Sequence, residues 1–567
     1  MKNHDFEIPD CSAFLPVTIR DMEQRGIDQL DVILVTGDAY IDHPSFGAAI
    51  VGRYLEFLGL STGIIAMPNV KNDKDLEKLG APRYFFGVTA GNVDSMVSKF
   101  TAQKKIRSDD QYVPGGMAGI RPARATIAYC NALRRIFKNI PIVLGGIEAS
   151  LRRIAHYDYW SDSVRRSLLL DSKADMLVYG MGEKPLAAIA NKLKAGIELS
   201  EIKDIPGTVV GLGKNDMDSG LYDKSDFFNL PSFEDVKTSK RSFSVMTKLF
   251  HEHFSSRMLQ RCGNGAILIN QPAAPLTQCE MDAVYELPFV YAPHPGYREK
   301  IPAWELVKDS FTVVRGCMGG CNFCGLGIHQ GKAVQSRSHE SVKREVIRRA
   351  ATPGWKRIIS DIGGPTANMY GLYCEKNAAH LTCKRRSCLA PDPCPYCHTD
   401  QSGLAGLIKE IGDMKEVNHL YVNSGIRMDL ALLWPAIIDV LAASATGGQM
   451  SIAPEHISPK VLRLMNKPEN TKWDEFEERF TTASRRAGKK QFLMPYLIAG
   501  HPGSSLSDAK QLGEYLEKKH VKVRQVQEFM PIPMTISASM YYTGEDPFTE
   551  EKINIVFYDY DKNKVVH

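Results

Sequence analysis

The 567-residue chain has no apolar run near the roughly 20 residues that a membrane-spanning helix needs; the segment around Ile64 to Pro68 soon gives way to charge. Its first ten residues, MKNHDFEIPD, are polar and acidic, without the basic-then-apolar order of a secretory signal, so a cytoplasmic protein with no membrane partner is expected. Neither sign of charge dominates. Seventy basic against 65 acidic residues leave a net +5, too small a bias to indicate nucleic-acid binding by itself. Composition also excludes extensive disorder, with 44% hydrophobic and 24% charged residues. The length exceeds what one hydrophobic core usually serves, which predicts two or more domains.

Cysteine is present but unevenly spread. Of 12 cysteines, eight fall between Cys317 and Cys397, while Cys11, Cys130, Cys262 and Cys279 stand alone and read as ordinary thiols. A disulfide scaffold belongs to small secreted chains, so in this long chain without a secretory leader the clustering points to metal binding.

Hydrophobic patterning predicts an α/β fold. DVILV at 31–35, followed by a Gly/Asp/Pro-rich loop and the helical AAIVGRYLEFLG, reads as strand, loop and helix. YFFGVTA at 84–90, PIVLGG at 141–146 and DMLVYG at 175–180 repeat the alternation, which predicts a Rossmann-like open parallel sheet over residues 1–205. Its strand-end loops lie where such sheets bind nucleotides or corrinoids. Glycine also ends strands routinely and no G-x-G-x-x-G follows the first strand, so no cofactor is assigned there. Residues 206–300 are irregular and read as a connecting segment. From Phe311 onward FTVVRG, RIISDIGG, HLYVNSG, MSIAPE, FLMPYLIAG and VRQVQEFMP give six strand candidates, predicting a partial (β/α)6 TIM-type barrel over 301–548 and an extension over 549–567. Ser458 before Pro459, and Ser505 with Asp508 at capping-box spacing, mark helix starts after the fourth and fifth strands.

After the first barrel strand comes RGCMGGCNFC, a C-x3-C-x2-C that lets one loop gather Cys317, Cys321 and Cys324. Three soft thiolates with no fourth nearby suit a [4Fe–4S] cluster with one open iron; a zinc site, or a closed cluster completed by His329 or a remote cysteine, is the alternative. The arrangement, with Phe323 before the third cysteine, resembles the radical S-adenosylmethionine (SAM) superfamily signature. That resemblance implies reductive cleavage of SAM, a flavodoxin or ferredoxin-type electron donor, and SAM contacts from particular barrel residues. Gly363 and Gly364 correspond to the glycine-rich motif after the second strand, facing the methionine amino group. The motif's usual acidic residue is replaced by Pro365, leaving the polar contact to Thr366 or Asp361. Ser451 and Glu455 match ribose or carboxylate contacts, and the segment from Ile498 through Gly500 to Gly503 matches the adenine contact.

Longer phrases narrow the resemblance. RGCMGGCNFC, HQGKAVQSRS, GGPTANMYG, SGIRMDL, APEHISPKVLRLMNKP, AGHPGSS and PIPMTISASMYYTG are similar to the YgiQ family of radical SAM proteins, as is DAYIDHPSFGAAIVGRYLE in the amino-terminal half. Members of that family usually continue past the barrel with a further segment and a basic tail, whereas this sequence ends at His567.

Between the second and third barrel strands an insertion at about 370–400 carries Cys374, Cys383, Cys388, Cys394, Cys397 and His398 around a basic KRR and several prolines. It has little apolar material, and thiolate coordination can order such a segment. Cys374, Cys383, Cys388 and Cys394 sit where the YgiQ family keeps cysteines, while Cys397 reads as an addition. An auxiliary zinc ion or iron–sulfur cluster is expected, with free surface thiols as the alternative. Two further readings of function stay open: an RNA-modifying radical SAM enzyme, or an iron–sulfur electron carrier or sensor that never uses SAM. The basic residues Lys343, Arg344, Arg348 and Arg349 are expected on a solvated helix face.

Overall fold

The computed structural model describes residues 13–219, 227–376, 383–521 and 526–555, with short strands at 557–559 and 564–566; Cys11 and residues 523–525 of the sixth barrel-strand candidate lie outside them. The chain divides into two compact units, the first drawn from Met1–Arg153, Leu168–Gly211 and Ala283–Lys308, the second from Ile154–Ser167, Leu212–Asp282 and Asp309–His567. The expected connector at 206–300 is therefore shared between the units.

The first unit is built on strands β1 (Val32–Thr36), β2 (Thr62–Ala66), β3 (Phe85–Thr89), β4 (Ile142–Leu144), β5 (Met176–Val178) and β6 (Thr208–Leu212). They run in the order β6-β5-β4-β3-β1-β2, parallel except that β6 is antiparallel to β5. All five residues of β1 are buried, as the continuous apolar run of a strand covered on both faces requires. The helix Gly47–Phe57 lies close on it because Gly52 has no Cβ: one placed there would strike Leu15 and reach Leu34 at 3.5 Å.

Strand order reverses between β1 and β3, where doubly wound sheets usually hold ligands beyond the strand ends. Here that crevice is filled. The Arg121 side chain, 1% exposed, pairs with Asp38 at 2.7 Å and Asp110 at 3.0 Å, and also donates to the Ala90 carbonyl. Asn92 N–H adds a 2.6 Å bond to Asp38, joining the loops after β1 and β3.

The second unit carries six consecutive barrel strands. The first, Ser310–Thr312, pairs in parallel with Asp361–Gly363 of the second; Ile358–Ile359, also of the second, pairs with His419–Leu420 of the third. An Ile426–Ile452 bridge joins the third to the fourth, Gln449–Glu455, which continues through Phe492–Ala499 to Val526–Glu528. The result is an open partial barrel, as predicted. Its core contains Val314, Ile359, Ile362, Val422 and Ile452. Helix Ser402–Gly412 covers that core with Leu404, Leu407, Ile408 and Ile411, the spacing of one helical face.

Local capping follows the sequence in one place and departs from it in another. Ser505 and Asp508 form the reciprocal capping box. Ser458 does not cap its helix with its hydroxyl, although Pro459 opens it; that hydroxyl bonds Asp508 instead. Nor is helix His339–Ala350 basic on a solvated face throughout. Arg349 is buried, pairs with Asp309 at 2.6 Å and lies over Trp355, because its position faces the core side of the helix.

Candidate active site

The three-cysteine loop leaves the first barrel strand at Gly316, whose φ of +82° and close approach to the Ala333 carbonyl exclude a side chain. It is then tied down by distant segments. Asn322 donates through its backbone to Met465 O at 2.9 Å and through its side chain to Leu464 O at 2.8 Å. Asn466 Nδ2 donates to Gly320 O at 2.7 Å, and Ser537 N to Asn322 O at 2.9 Å. Cys388 N donates to Met318 O at 3.0 Å, which docks the insertion on the same loop.

Cys317, Cys321 and Cys324 come together electrostatically. Burial pushes the Cys324 thiol up to about 12, and neighbouring Cys321 and Cys317 push in the same direction, while the Leu326 N–H opposes them. Burial also raises Cys317, opposed by Arg427. The Arg427 Nη1 lies 3.6 Å from Cys321 Sγ, in space left by the missing Cβ of Gly319. Burial disfavours the guanidinium charge, but Asp429, 2.6 Å away, and the thiolates of Cys321 and Cys317 outweigh it, so the group stays protonated. Among the described residues, no three His, Cys, Asp or Glu side chains form the shell of a single metal ion. Three mutually interacting soft donors on one glycine-rich loop, with a fixed cation beside them, suit the wider spacing of a cluster with net negative charge.

The residues expected at SAM lie on several barrel elements, Phe323 within this loop and Glu455 in electrostatic range of Cys324. Phe323 packs on the Val461, Met465, Ile498 and Phe529 cluster and meets the His501 ring edge-on at 6.4 Å. Side-chain space at Gly363 is taken by Ser424 and Asp361, and at Gly364 by Val314, so both glycines serve close packing of barrel strands. Asp361 accepts from Asn423 N at 2.7 Å and from Ser424 N at 3.0 Å, tying the second strand to the third; burial raises its carboxyl against these bonds. Thr366 Oγ1 donates to Pro365 O at 2.8 Å. Ser451 lies within the fourth strand, and Glu455 ends it with φ +67°. Burial raises the Glu455 carboxyl, Lys467 at 3.9 Å counteracting it. Ile498 is buried in the fifth strand, and Gly500 follows it with φ +74° and open space where a Cβ would stand.

In the insertion, Cys374 pairs with Cys397 across a two-residue antiparallel ladder, and Tyr373 stacks on His398 at 4.4 Å. Cys394 N donates to Cys388 O at 2.8 Å, and Cys397 N to Cys394 O at 2.9 Å. The hydrogen bond from Cys397 pulls the Cys388 thiol down to about 7, with burial opposing and Lys332 and Arg385 assisting. Cys397 itself is raised by that bond first and by burial second, with Cys394 and Cys374 also in range. Thus Cys397, read from sequence as an addition, lies at the centre of the group. Cys383 is exposed, and it and Cys388 both act on the half-buried Lys332 ammonium.

Arg427, Asp429, Asn466 and His501 carry no local signal of a role in the sequence, although all four stand in phrases similar to the YgiQ family. His501 is buried and pushed down to about 3, chiefly by desolvation, so it is neutral. Its Nδ1–H faces Pro502 O at 2.9 Å, leaving Nε2 to accept from Ser537 Oγ at 2.7 Å.

Comparison with known proteins agrees with this architecture. Residues 14–310 match the radical SAM N-terminal family, residues 311–516 the radical SAM superfamily, and residues 524–566 a domain of unknown function, DUF3362. A UPF0313 protein of Methanocella arvoryzae is 45% identical over 95% of this chain and 90% of its own length. One from Geobacter sulfurreducens is 45% identical over 97% and 91%. Among solved structures, the radical SAM methyltransferase TsrM from Kitasatospora setae, with tryptophan substrate and a SAM analogue bound, aligns at TM-score 0.50 and 16% identity over 89% of this chain and 75% of that one. The same protein with cobalamin and a [4Fe–4S] cluster aligns at TM-score 0.50 and 17% identity, over 90% and 77%. At these identities the likeness is one of fold. No helix among the described residues is long and apolar enough to cross a membrane. From its relatives and its domain matches, the chain belongs to the UPF0313 family of the radical SAM superfamily.

Proposed function

We propose that this protein is an enzyme that cleaves SAM at a [4Fe–4S] cluster held by Cys317, Cys321 and Cys324 and abstracts a hydrogen atom from its substrate. The observation that carries the reading is the half-buried three-thiol loop anchored on the barrel with Arg427 against Cys321. When bound, the cluster supplies the electron that splits the SAM sulfonium into methionine and a 5′-deoxyadenosyl radical. Arg427 offsets the negative charge of the thiolates, and Asp429 fixes its orientation. Phe323, Gly363, Gly364, Thr366, Ser451, Glu455, Ile498 and Gly500 are proposed as the SAM surroundings. At Gly363 and Gly364 the contacts would come from backbone groups, since neighbouring strands occupy the side-chain space. A flavodoxin or ferredoxin would deliver the electron.

Cys374, Cys383, Cys388 and Cys394 are proposed to hold an auxiliary zinc ion or iron–sulfur cluster, drawing together on binding, since among the described residues no three of them form the shell of a single ion. Cobalamin, present in a TsrM structure, is not carried over, because Arg121 and its two carboxylates fill the crevice between β1 and β3.

The test is anaerobic reconstitution followed by addition of SAM and dithionite. The protein should be brown and release 5′-deoxyadenosine, and alanine at any of the three loop cysteines should abolish both. Cleavage retained in the triple alanine variant would refute the assignment. A brown protein that never forms 5′-deoxyadenosine would favour the electron-carrier reading.

A further inference from the structure

The open barrel leaves part of its inner face unfilled. Leu493 and Leu497 of the fifth strand pack into the helix-side core, so alternation turns Phe492, Met494, Tyr496 and Ile498 to the opposite, lumen face. A closed eight-stranded barrel fills that face with packed side chains. Here Tyr496 keeps 41% exposure and Phe492 55%, and Tyr496 has neither a hydrogen bond nor a ring partner among the described residues. Ile498, at the upper end of the same face, belongs to the cluster that holds Phe323 next to Cys324. The lumen therefore opens toward the proposed SAM site.

A carboxylate shares this lumen. On the second strand Ile362 faces the core, so Asp361 and Gly363 face inward. Asp361 is half-buried and held by one oxygen alone: Oδ1 accepts from Asn423 N, from Ser424 N and, at 3.1 Å, from Ser424 Oγ. Oδ2 accepts from no described residue and is not sealed off by packing; it lies 2.9 Å from the point where a Gly363 side chain would begin. Among the described residues no cation pairs with Asp361, and its carboxyl answers only to burial and the Oδ1 bonds. A carboxylate withdrawn from bulk water without a countercharge is costly, and a cationic ligand offsets that cost. The bonds to Oδ1 fix its orientation in advance, which leaves Oδ2 free for a charge-assisted bond from a ligand donor.

We propose that the lumen binds a protonated amine carried on a flat apolar body, with Asp361 Oδ2 receiving the ammonium and the Tyr496 ring serving as platform. This names the substrate class of the enzyme proposed above and rests on that reading; binding is measured without turnover, so the two fail separately. Reconstituted full-length protein, with SAM present, would be titrated calorimetrically with phenethylamine and with its neutral counterpart phenethyl alcohol, beside Asp361→Asn and Tyr496→Ala. Asparagine keeps the Oδ1 acceptor, and Tyr496 is exposed, so both variants should fold. The amine should bind wild type about tenfold or more tightly than the alcohol, and Asp361→Asn should erase that difference. Tyr496→Ala should weaken both probes a few-fold while keeping the preference for the amine. Equal binding of the two probes to wild type, no saturable binding of either, or an amine preference that survives in folded Asp361→Asn would overturn the proposal. So would a selective loss of SAM affinity in Asp361→Asn, measured without probe, which would make Asp361 a SAM contact instead.

Discussion

Arg427→Met tests the electrostatic design of the cluster loop. At an effective dielectric of about 20, a full charge at the 3.6 Å separation of Nη1 and Cys321 Sγ is worth about 4–5 kcal/mol. Asp429 lies 2.6 Å from the same guanidinium, so the pair together gives the cluster only roughly 1–2 kcal/mol, but Arg427→Met leaves the Asp429 charge in place and forfeits the whole Arg427 contribution of about 4–5 kcal/mol. Removing a cation disfavours the more negative, reduced cluster. For a one-electron couple the midpoint potential should therefore fall by about 170–220 mV, measured by redox titration followed by electron paramagnetic resonance. Stability should suffer separately, because Asp429 would be left buried without its partner at a cost of about 3–5 kcal/mol. Adding Asp429→Asn should recover most of the stability but not restore the wild-type pair at the cluster. A potential unchanged in cluster-loaded Arg427→Met would show that this guanidinium does not act on the cluster.

Alanine at both Cys383 and Cys388 should lower metal content by elemental analysis while 5′-deoxyadenosine formation persists; unchanged metal would make these free thiols. Single variants should separate the ligand sets: metal loss in Cys383→Ala alone would support the four proposed ligands, whereas loss in Cys397→Ala with none in Cys383→Ala would put Cys397 in the place of Cys383. Arg121→Met should destabilise the protein by about 3–5 kcal/mol, read from denaturant unfolding, because Asp38 and Asp110 lose a shared buried cation. Gly320→Ala should lower both thermal stability and cluster occupancy, since φ is +61° there and a Cβ would strike the Arg386 carbonyl; wild-type occupancy would refute the docking argument.

Much of the fold was legible because buried parallel strands are written as short β-branched and aromatic runs, and β1, β3, β4 and β5 all fall on such runs. Edge strand β2 is hard to read from sequence because Gly63 interrupts its pattern; that glycine is needed where Leu30 and Leu79 crowd the backbone. The hairpin Met258–Cys262 with Gly265–Ile269 falls inside the expected connector, although Gly263-Asn264 between the two runs is a two-residue turn signal. The site was legible only where it is local. Three cysteines within eight positions announce themselves, whereas Arg427 reaches Cys321 from 106 residues away and Asn466 reaches Gly320 from 146. Such partners are selected by strand order, which a linear pattern does not state.

The anchoring of the cysteine loop also sets a timetable for biosynthesis. Asn322 is held by a carbonyl 142 residues further along the chain, at Leu464. At about 5–20 residues per second, roughly 7–28 s of translation separate the two. During that interval the nascent thiols lack the scaffold that later buries them and stay open to oxidation. Assembly of the proposed cluster on this loop would thus be productive only once the fourth strand and its helix have emerged from the ribosome.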